Sequence, residues 1–458
     1  MLMDAYKNRL LGAGICTLLA LLLGGWFLPK QPASSVGSDW FWSNKVQPGR
    51  QFELVAVGDS RMYRGFSPED FAAAYAPDRT LEGFNFGFSS AGLDTHLLRA
   101  AAALLDTTAK QPLLLVGITT SSLADENGAN KQFWQEQKRS PIEVWQRKNI
   151  NPHLTFFDPS SPNTLRNHWN EERQGYYQHY HKNGWVASEK YPHTPWESYE
   201  HVKNTYPHVA FSLGFRQQLL QQIATWQAQG IQVVAFRPPA APHLEEVEML
   251  PQYYPEAAIK AQIQAVGGIW LELPNTEQYL TYDGNHLIEA SARQWSRDLG
   301  QQLQQILKKR KQQQVLIQQQ SNFEEHPPSH PLKVAQAPKG QQAQQVAAKS
   351  FSHTLTYDLN QLPFDSLELR AALWARFPEG GTSAGATLVL SVEDASGMLL
   401  WEGKALLESM LDPTAWTKVQ LQVSYHHQKA GAFLKAYLWN NSEQEVLLNH
   451  ITFEIATL

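Results

Sequence analysis

Short apolar runs alternate with helix-like segments between residues 53 and 308, and this alternation constrains the fold more than any other feature. The apolar runs are Glu53–Val57, Gly83–Phe88, Pro112–Ile118, Gln232–Phe236 and Ile269–Leu273. Continuous apolar runs of this length indicate strands that are buried on both faces, and strands separated by helices indicate a parallel sheet. The sequence therefore predicts an α/β fold, a three-layer α/β/α sandwich with a parallel sheet, over residues 51–308.

The first apolar run leads directly into the tight turn Gly58-Asp59-Ser60. A helix start follows, with Ser67 as the expected cap and Pro68 at the first helical position. Open α/β sheets bind their ligands at the carboxyl ends of the strands. We therefore expect the Ser60 hydroxyl to lie clear of the sheet edge, at the place where such a fold carries out its chemistry.

A second candidate segment, Thr281-Tyr-Asp-Gly-Asn-His286, lies just before the last helical pattern. Asp283 and His286 are three residues apart, so both can lie on one loop. There the carboxylate can bind Nδ1 of the imidazole and leave Nε2 to accept a proton from a serine. We predict that Ser60 is the nucleophile, that His286 is the general base and that Asp283 orients it.

With these two blocks the chain resembles the SGNH, or GDSL-type, hydrolase superfamily over about residues 50–308. Members of that family carry the nucleophile in Gly-Asp-Ser near the start of the domain and Asp-x-x-His near its end, and both blocks are present here in that order. The resemblance implies a flavodoxin-like fold and a serine esterase or O-acyltransferase. It also implies that the backbone amide of Ser60 belongs to the oxyanion hole.

The family's two remaining blocks follow the second and third predicted strands. Gly87, Ser90 and Gly92 are candidates for the residue whose backbone N–H joins that of Ser60 in the oxyanion hole. The third block usually reads Gly-x-Asn-Asp, and this chain has Thr119 in place of the Asn. A threonine hydroxyl can donate one hydrogen bond, but it is shorter than an amide. The departure either weakens the oxyanion hole or marks a subgroup that supplies the donor elsewhere.

A polar and aromatic insertion at about 125–210 interrupts the alternation. We expect it to form a lid or a substrate groove over the active rim, with aromatic rings suited to stacking on sugars. The candidate substrate-binding residues are Trp185 in this insertion, Arg61 beside the nucleophile and Arg237 on the same rim. For Arg61 a structural ion pair is the alternative. No metal and no cofactor is predicted, since the sequence contains neither a phosphate-binding glycine motif nor a Cys/His zinc motif.

Residues 1–30 are predicted to be a membrane anchor. Leu10 to Pro29 is free of charge and long enough to cross a bilayer, and Lys7 and Arg9 precede it. The amino terminus would then lie in the cytoplasm, and the bulk of this single-pass protein would be periplasmic or extracellular. A cleaved signal peptide is the alternative. Residues 31–50 are predicted to be a spacer.

The composition changes twice after residue 308. Residues 309–349 are rich in Gln, Pro and Lys, which predicts a flexible linker. Residues 350–458 contain short alternating segments between turn signals, which predicts an all-β, jelly-roll-like sandwich. This part resembles modules appended to carbohydrate-active enzymes. Its Trp374, Trp401 and Trp439 either stack on sugars or belong to the core.

The net charge of −5 over 458 residues argues against a nucleic-acid partner. The expected anchor and sandwich favour a cell-surface or exported glycan as substrate, with an O-acetyl or other ester as the reacting group. We predict a membrane-anchored extracytoplasmic serine esterase or O-acyltransferase, with a membrane-bound acyl-transfer protein as a further partner. The alternative, which Thr119 favours, is a catalytically inactive glycan-binding or polysaccharide-assembly protein that retains the fold.

Overall fold

The computed structural model describes residues 11–20, 36–89, 92–123, 129–151, 175–206, 213–250, 255–312, 315–321, 331–333, 337–338, 342–362, 366–378, 385–410, 412–426 and 431–457. The chain forms two compact units. The first comprises Met1–Phe215, Gln229–Tyr253 and Leu271–Gln302, and the second comprises Arg216–Ala228, Tyr254–Trp270 and Leu303–Leu458. Each unit therefore contains segments that are distant in the sequence.

A five-stranded parallel sheet and a separate hairpin contain the first seven strands. These are β1 (Leu54–Val57), β2 (Gly83–Asn85), β3 (Leu113–Gly117), β4 (Gly175–Tyr180), β5 (Val186–Tyr191), β6 (Gln232–Phe236) and β7 (Ile269–Leu271). The parallel sheet has the order β2-β1-β3-β6-β7, and β4 pairs with β5 in an antiparallel hairpin. Every residue of β1 and β3 is buried, as strands covered on both faces require. The prediction of an α/β fold with a parallel sheet is confirmed.

Helices accompany the strands along this part of the chain. They are α1 (Ser38–Val46), α2 (Ser60–Gly65), α3 (Pro68–Tyr75), α4 (Thr95–Ala102), α5 (Lys131–Gln137), α6 (Pro141–Asn149), α7 (Tyr199–Thr205), α8 (Leu213–Ala228), α9 (Pro242–Glu248), α10 (Glu256–Ala265) and α11 (Glu289–Gln312). Side-chain caps mark several of their starts: the Ser67 hydroxyl accepts from the Asp70 amide, and the Asp94 carboxylate accepts from His96 and Leu97. The expected cap at Ser67 is therefore present.

The order of the strands places the candidate nucleophile at the reversal point of the sheet. Chain-consecutive β1 and β2 are neighbours, but β3 lies on the other side of β1. When only the five parallel strands are counted along the chain, their order is 2-1-3-4-5. In doubly wound sheets of this order, ligands bind outside the carboxyl ends of the two strands between which the strand order reverses, here β1 and β3. Ser60 follows β1 and Thr119 follows β3, so both lie at this point.

Helices α1 and α2 are among those that the sequence did not predict. The sequence predicts a spacer over residues 31–50, where the structure has α1, and a turn at Ser60, where α2 begins. Helix α1 forms because its aromatic residues are buried: the Trp42 ring stacks on Tyr63 of α2 at 5.4 Å between centroids. Lys45 of α1 is also buried, and its Nζ donates to the backbone oxygens of Asn85 and Gly184. A segment placed between a predicted anchor and a domain is thus part of the fold.

The predicted insertion at 125–210 contains α5, α6, the hairpin β4–β5 and α7. Its residues 125–128, 152–174 and 207–210 lie outside the described part of the chain. The hairpin is anchored to the parallel sheet, since the Asn85 amide of β2 donates to the Asn183 carbonyl at 2.8 Å. The described part of the insertion is therefore packed structure with its own secondary elements.

The carboxyl-terminal part of the chain is an antiparallel β-sandwich. Its strands are β8 (Val315–Gln320), β9 (Pro331–Lys333), β10 (Gln342–Val346), β11 (Ser350–Phe351), β12 (Leu355–Asp358), β13 (Ser366–Arg376), β14 (Ala386–Asp394), β15 (Gly397–Ala405), β16 (Thr417–His426), β17 (Phe433–Asn440) and β18 (Val446–Thr457). One sheet has the order β16-β13-β18-β10-β9 with β8 on β18, and the other has β11-β17-β14-β15 with β12 on β17. Leu369 and Phe453 of the first sheet share one buried core with Leu388 and Leu438 of the second. The predicted sandwich is confirmed at this coarse level, while the jelly-roll topology stays a prediction.

Three strands lie within the predicted linker at 309–349. β8 and β10 both pair with β18, and β9 pairs with β10. A ladder needs backbone N–H and C=O groups and only modest apolar burial from each strand. A Gln-rich segment can therefore extend a sheet although its composition is typical of a linker.

The predicted membrane anchor and the single-pass localisation are contradicted. Across the described ranges, no helix is both long enough and apolar enough to span a bilayer. Residues 11–20 are helical. The flanking parts of Leu10 to Pro29, residues 10 and 21–29, lie outside the described residues.

Candidate active site

The carboxyl end of β1 and the loop before α11 bring the three predicted catalytic residues together. Ser60 Oγ lies 2.9 Å from His286 Nε2, and His286 Nδ1 lies 2.7 Å from Asp283 Oδ2. Both distances are those of hydrogen bonds. A hydroxyl, an imidazole and a carboxylate joined in this order form the arrangement that can activate a serine as a nucleophile.

The environment of Asp283 determines which nitrogen of His286 carries a proton. Asp283 Oδ1 accepts from the backbone N–H groups of Asn285 and His286 at 2.9 and 2.8 Å. Burial raises the pKa of Asp283, but the hydrogen bonds from His286 and the two amides lower it by more, so the net pKa is below its ordinary value. An ionised carboxylate only accepts hydrogen bonds. Nδ1 of neutral His286 therefore donates to Asp283, and Nε2 accepts the hydroxyl proton of Ser60.

The pKa of His286 is lowered, which favours the neutral base. Burial is the largest cause, and the nearby positive charge of Arg64 adds to it. The hydrogen bond and negative charge of Asp283 act in the opposite direction but do not outweigh these two. His286 is thus neutral at neutral pH, the state in which it can accept a proton from Ser60.

Two glycines let the backbone approach closely around these residues. A Cβ on Gly58 would lie 2.4 Å from Met62 Cγ, so the turn before Ser60 has no room for a side chain. Gly284 has φ +88°, and a Cβ there would lie 2.2 Å from the Pro195 carbonyl oxygen. The strand-to-helix turn and the Asp283–His286 loop both depend on glycine.

The prediction that Arg61 binds substrate is wrong, and the alternative of a structural ion pair is what the structure contains. Arg61 is 5% exposed, and two of its nitrogens donate to the two carboxylate oxygens of fully buried Glu248. Its Nε donates to Asn285 Oδ1 at 2.8 Å. The guanidinium of Arg61 therefore links α2 to the loop that carries Asp283 and His286, and it is too buried to contact a ligand.

The prediction for Trp185 is also wrong. This side chain is 1% exposed, and its Nε1 donates to the Arg64 carbonyl at 2.7 Å. Its ring stacks on His181 at 4.6 Å between centroids. Trp185 therefore fixes the hairpin β4–β5 against α2, and a sugar cannot reach it.

The third candidate, Arg237, lies in an ion pair after β6. Its Nη1 is 3.2 Å from Glu245 Oε1, and its side chain is 14% exposed. Glu245 in turn accepts from the Ala240 amide at 3.0 Å. The described contacts of Arg237 therefore hold the loop between β6 and α9.

The oxyanion candidates have different surroundings. The Gly87 N–H donates to Asn85 Oδ1 at 2.8 Å, and the Thr119 hydroxyl donates to Asp59 Oδ2. A hydroxyl has one proton, so in this arrangement neither group has a hydrogen left for an oxyanion. Gly92 has φ +103°, and Ser90 lies outside the described residues. The role of the Ser60 amide stays a prediction.

Sequence reasoning missed the side chains that surround His286. Asn285 Nδ2 lies 3.4 Å from His286 Nε2, and the Tyr282 ring is nearly parallel to the imidazole at 5.8 Å between centroids. Arg64 Nη1 donates to the Tyr282 hydroxyl at 2.6 Å. The signal available in the sequence was position: Asn285 lies inside the Asp-x-x-His motif and Tyr282 directly before it.

No cluster suited to a metal ion is found among the side chains that the structure describes. Two histidines of the hairpin were the nearest to such a pattern in the sequence. His179 Nδ1 lies 3.7 Å from Glu289 Oε2, whereas the His181 ring stacks on that of Trp185. The two are therefore engaged in separate contacts.

Comparisons with known proteins give no relative at the level of sequence: no family model matches the chain, and no curated protein matches it either. Matching solved structures include the CBM22-1–GH10 modules of Clostridium thermocellum endo-1,4-beta-D-xylanase 10B with xylohexaose (12% identity, TM-score 0.20, 31% of this chain and 26% of that chain). They also include the CBM22-1 xylan-binding domain of Paenibacillus barcinonensis Xyn10C (12% identity, TM-score 0.20, 32% and 86%) and dimeric latent PorU of Porphyromonas gingivalis (16% identity, TM-score 0.18, 25% and 10%). The chain spans about a quarter of the first of these structures. Likenesses at such TM-scores carry no argument on fold or ligand.

Proposed function

We propose that this chain is an SGNH-type serine esterase or O-acyltransferase that acts on ester groups, O-acetyl groups in particular, of a glycan. The observation that carries the proposal is the 2.9 Å contact of Ser60 Oγ with His286 Nε2, combined with the 2.7 Å contact of His286 Nδ1 with Asp283. A serine that merely occupied a surface turn would need neither contact. The position of Ser60 at the reversal point of a parallel sheet supports the same conclusion.

In the proposed reaction, Ser60 Oγ attacks the carbonyl carbon of the ester while its proton passes to His286 Nε2. The carbonyl π electrons move to oxygen and give a tetrahedral oxyanion. When this intermediate collapses, the bond to the leaving alcohol breaks and His286 returns the proton to the alcohol oxygen. The acyl group remains on Ser60. Throughout the reaction Asp283 accepts a hydrogen bond from Nδ1–H of His286, and its negative charge stabilises the imidazolium.

The acyl-enzyme reacts with one of two acceptors. If His286 deprotonates a water molecule, hydrolysis releases the carboxylic acid and the chain is an esterase. If His286 deprotonates a glycan hydroxyl, a new ester forms and the chain is an O-acyltransferase. The same three residues serve both reactions, so the proposal covers both.

A non-catalytic glycan-binding protein is the second candidate, and two observations favour it. The Gly87 amide and the Thr119 hydroxyl, both candidate oxyanion donors, are already engaged. In addition, Phe351, Trp401 and Trp439 form a contiguous aromatic group on the sandwich, with Phe351 58% and Trp401 42% exposed. Aromatic surfaces of this kind suit a partner with an apolar face.

Covalent labelling of the full chain with a fluorophosphonate tests the catalytic proposal. Such a probe reacts with a serine only when an adjacent base activates it. We expect labelling of the native protein, no labelling of Ser60→Ala, and strongly reduced labelling of His286→Ala. The matched control is His201→Ala, on exposed α7, which is expected to label like the native protein. A folded native protein that does not label would favour the non-catalytic candidate.

A further inference from the structure

We infer that the exposed ring of Trp196, stacked on His243, is a sugar-binding subsite that holds a pyranose ring of the glycan next to the reacting ester. This inference rests on the proposed function and names the part of the site that recognises the substrate. Trp196 is 61% exposed, whereas most large aromatic side chains of a folded protein are at least half buried.

The local contacts hold the indole in a fixed orientation. The rings of Trp196 and His243 are nearly parallel, with centroids 3.8 Å apart, and Tyr199 packs edge-on at 5.3 Å. His243 Nε2 lies 3.0 Å from the Pro195 carbonyl, and because a carbonyl only accepts, this nitrogen donates to it. One face of the indole is thus covered by His243, and the exposed area comes from the other face and the edge.

The segment that carries Trp196 is tied to the catalytic loop through its backbone. The amide of Thr194 donates to the Tyr282 carbonyl at 2.7 Å, and the amide of Ser198 donates to the Asp283 carbonyl at 3.1 Å. Ser198 is two residues after Trp196, so their Cα atoms are at most about 8 Å apart. Trp196 and the catalytic Asp283 therefore belong to one small, cross-linked unit.

Helix α9, which carries His243, is attached to the same loop. The Ala241 amide donates to the Gly284 carbonyl at 2.8 Å. Both halves of the Trp196–His243 stack are consequently positioned by residues 282–284. A ring fixed relative to the nucleophile can align a substrate, and such preorganisation lowers the entropic cost of binding.

The chemistry of this surface fits a sugar. The C–H faces of a pyranose are apolar and pack on an aromatic ring, while its hydroxyls need hydrogen-bonding groups at the edge of the contact. Such groups are present in the same segment, since Thr194 and Lys190 both donate to the carboxylate of Glu197, the residue after Trp196. An apolar ring with a polar rim is the combination that a carbohydrate requires.

A second exposed ring lies on the hairpin. Tyr176 is 45% exposed, and its ring is 6.0 Å from that of Tyr282, which in turn faces His286. Trp196 and Tyr176 thus reach the Asp283–His286 loop through two different neighbours. A chain of several sugar residues could contact both rings while its ester lies at Ser60.

The test measures binding without turnover. The full chain carrying Ser60→Ala is titrated with three soluble probes, which are O-acetylated xylan, O-acetylated glucomannan and O-acetylated alginate. The same titrations are repeated with the double variant Ser60→Ala/Trp196→Ala. We expect at least one probe to bind the Ser60→Ala protein. Its Kd should rise about tenfold in the double variant, because one stacking contact is lost. Trp145→Ala is the matched control, since Trp145 is 58% exposed on α6, and it should leave Kd unchanged.

A parallel assay separates this inference from the proposed function. In a chain with intact Ser60, Trp196→Ala should raise the KM for an O-acetylated glycan by about tenfold and change the KM for p-nitrophenyl acetate by less, because the small ester has no sugar ring to stack on the indole. Failure of labelling in the native chain would overturn the enzyme while leaving the binding result to stand on its own. Binding of no probe, or equal binding with and without Trp196, would overturn the subsite whatever the labelling shows.

Discussion

The Nε of Arg61 donates a hydrogen bond of 2.8 Å to Oδ1 of Asn285, which joins the residue after Ser60 to the residue before His286. Because a guanidinium only donates, Oδ1 faces Arg61 and Nδ2 faces His286 Nε2, 3.4 Å away. Glu248 holds the other end of Arg61. The buried ion pair of Arg61 and Glu248 therefore sets the orientation of the Asn285 amide next to His286 Nε2.

The first prediction is that Glu248→Gln destabilises the protein strongly. The change leaves the charge of Arg61 buried without its partner, and breaking such a pair costs about 3–5 kcal/mol. The free energy of unfolding, measured in urea, should fall by that order, and the rate of fluorophosphonate labelling should fall because Asn285 loses its fixed orientation.

The chain offers an exposed pair as the control for this change. Arg50 and Glu82 are 2.9 Å apart with side chains 56% and 58% exposed. Glu82→Gln should cost less than about 1 kcal/mol, because solvent screens exposed pairs. Equal losses in the two variants would show that the buried pair contributes nothing specific.

The second prediction concerns pH. The pKa of His286 is lowered from 6.5, so the protonated, inactive form accumulates only at a pH below that value. Labelling should therefore be fully present at neutral pH and lost as the pH falls, with a midpoint below 6.5. Arg64→Gln removes one of the charges that lower this pKa, and it should move the midpoint to higher pH. The measurement is the labelling rate as a function of pH.

Arg64→Lys separates the charge of Arg64 from its hydrogen bond to Tyr282. It keeps the positive charge, so the midpoint should stay near that of the native protein even if the rate itself changes. A midpoint that moves equally in the Gln and Lys variants would mean that contact geometry, and not charge, sets the pKa of His286.

The third prediction is that Trp185 acts on stability and not on substrate binding. Trp185→Ala removes a fully buried ring and its hydrogen bond to Arg64, a loss of about 3–5 kcal/mol in the free energy of unfolding. Trp185→Phe should cost less and leave the KM for an acetylated glycan unchanged. A raised KM in the Phe variant without loss of stability would restore the role that the sequence predicted.

The sequence predicted those features that rest on local patterns. Apolar runs of five to seven residues indicate the strands of the parallel sheet. Two short motifs identify Ser60, Asp283 and His286, whose mutual contacts then follow from the common rim of such a sheet. The motif also predicted Thr119 at the oxyanion position, but it could not show that Asp59 binds the hydroxyl.

The failures concern burial and distant partners. The patterns around Arg61 and Trp185 are polar or aromatic, as at a surface, and their buried state depends on Glu248 and on the hairpin, which are far away in the sequence. The anchor was inferred from a long charge-free stretch with basic residues ahead of it, and the linker from composition. Neither property includes the backbone pairing that draws β8 and β10 into a sheet.

The last prediction tests the close packing of the catalytic loop. Gly284 and Gly230 have nearly the same φ, +88° and +83°. A Cβ on Gly284 would lie 2.2 Å from the Pro195 carbonyl oxygen, whereas a Cβ on Gly230 would meet no atom within 4 Å. Gly230→Ala should therefore cost only the strain of a left-handed residue, about 1–2 kcal/mol. Gly284→Ala must also displace the segment that carries Trp196, so it should lower the free energy of unfolding further and reduce both labelling and glycan binding. If the two variants are equally stable and label equally well, the contact between Gly284 and Pro195 does not hold the loop.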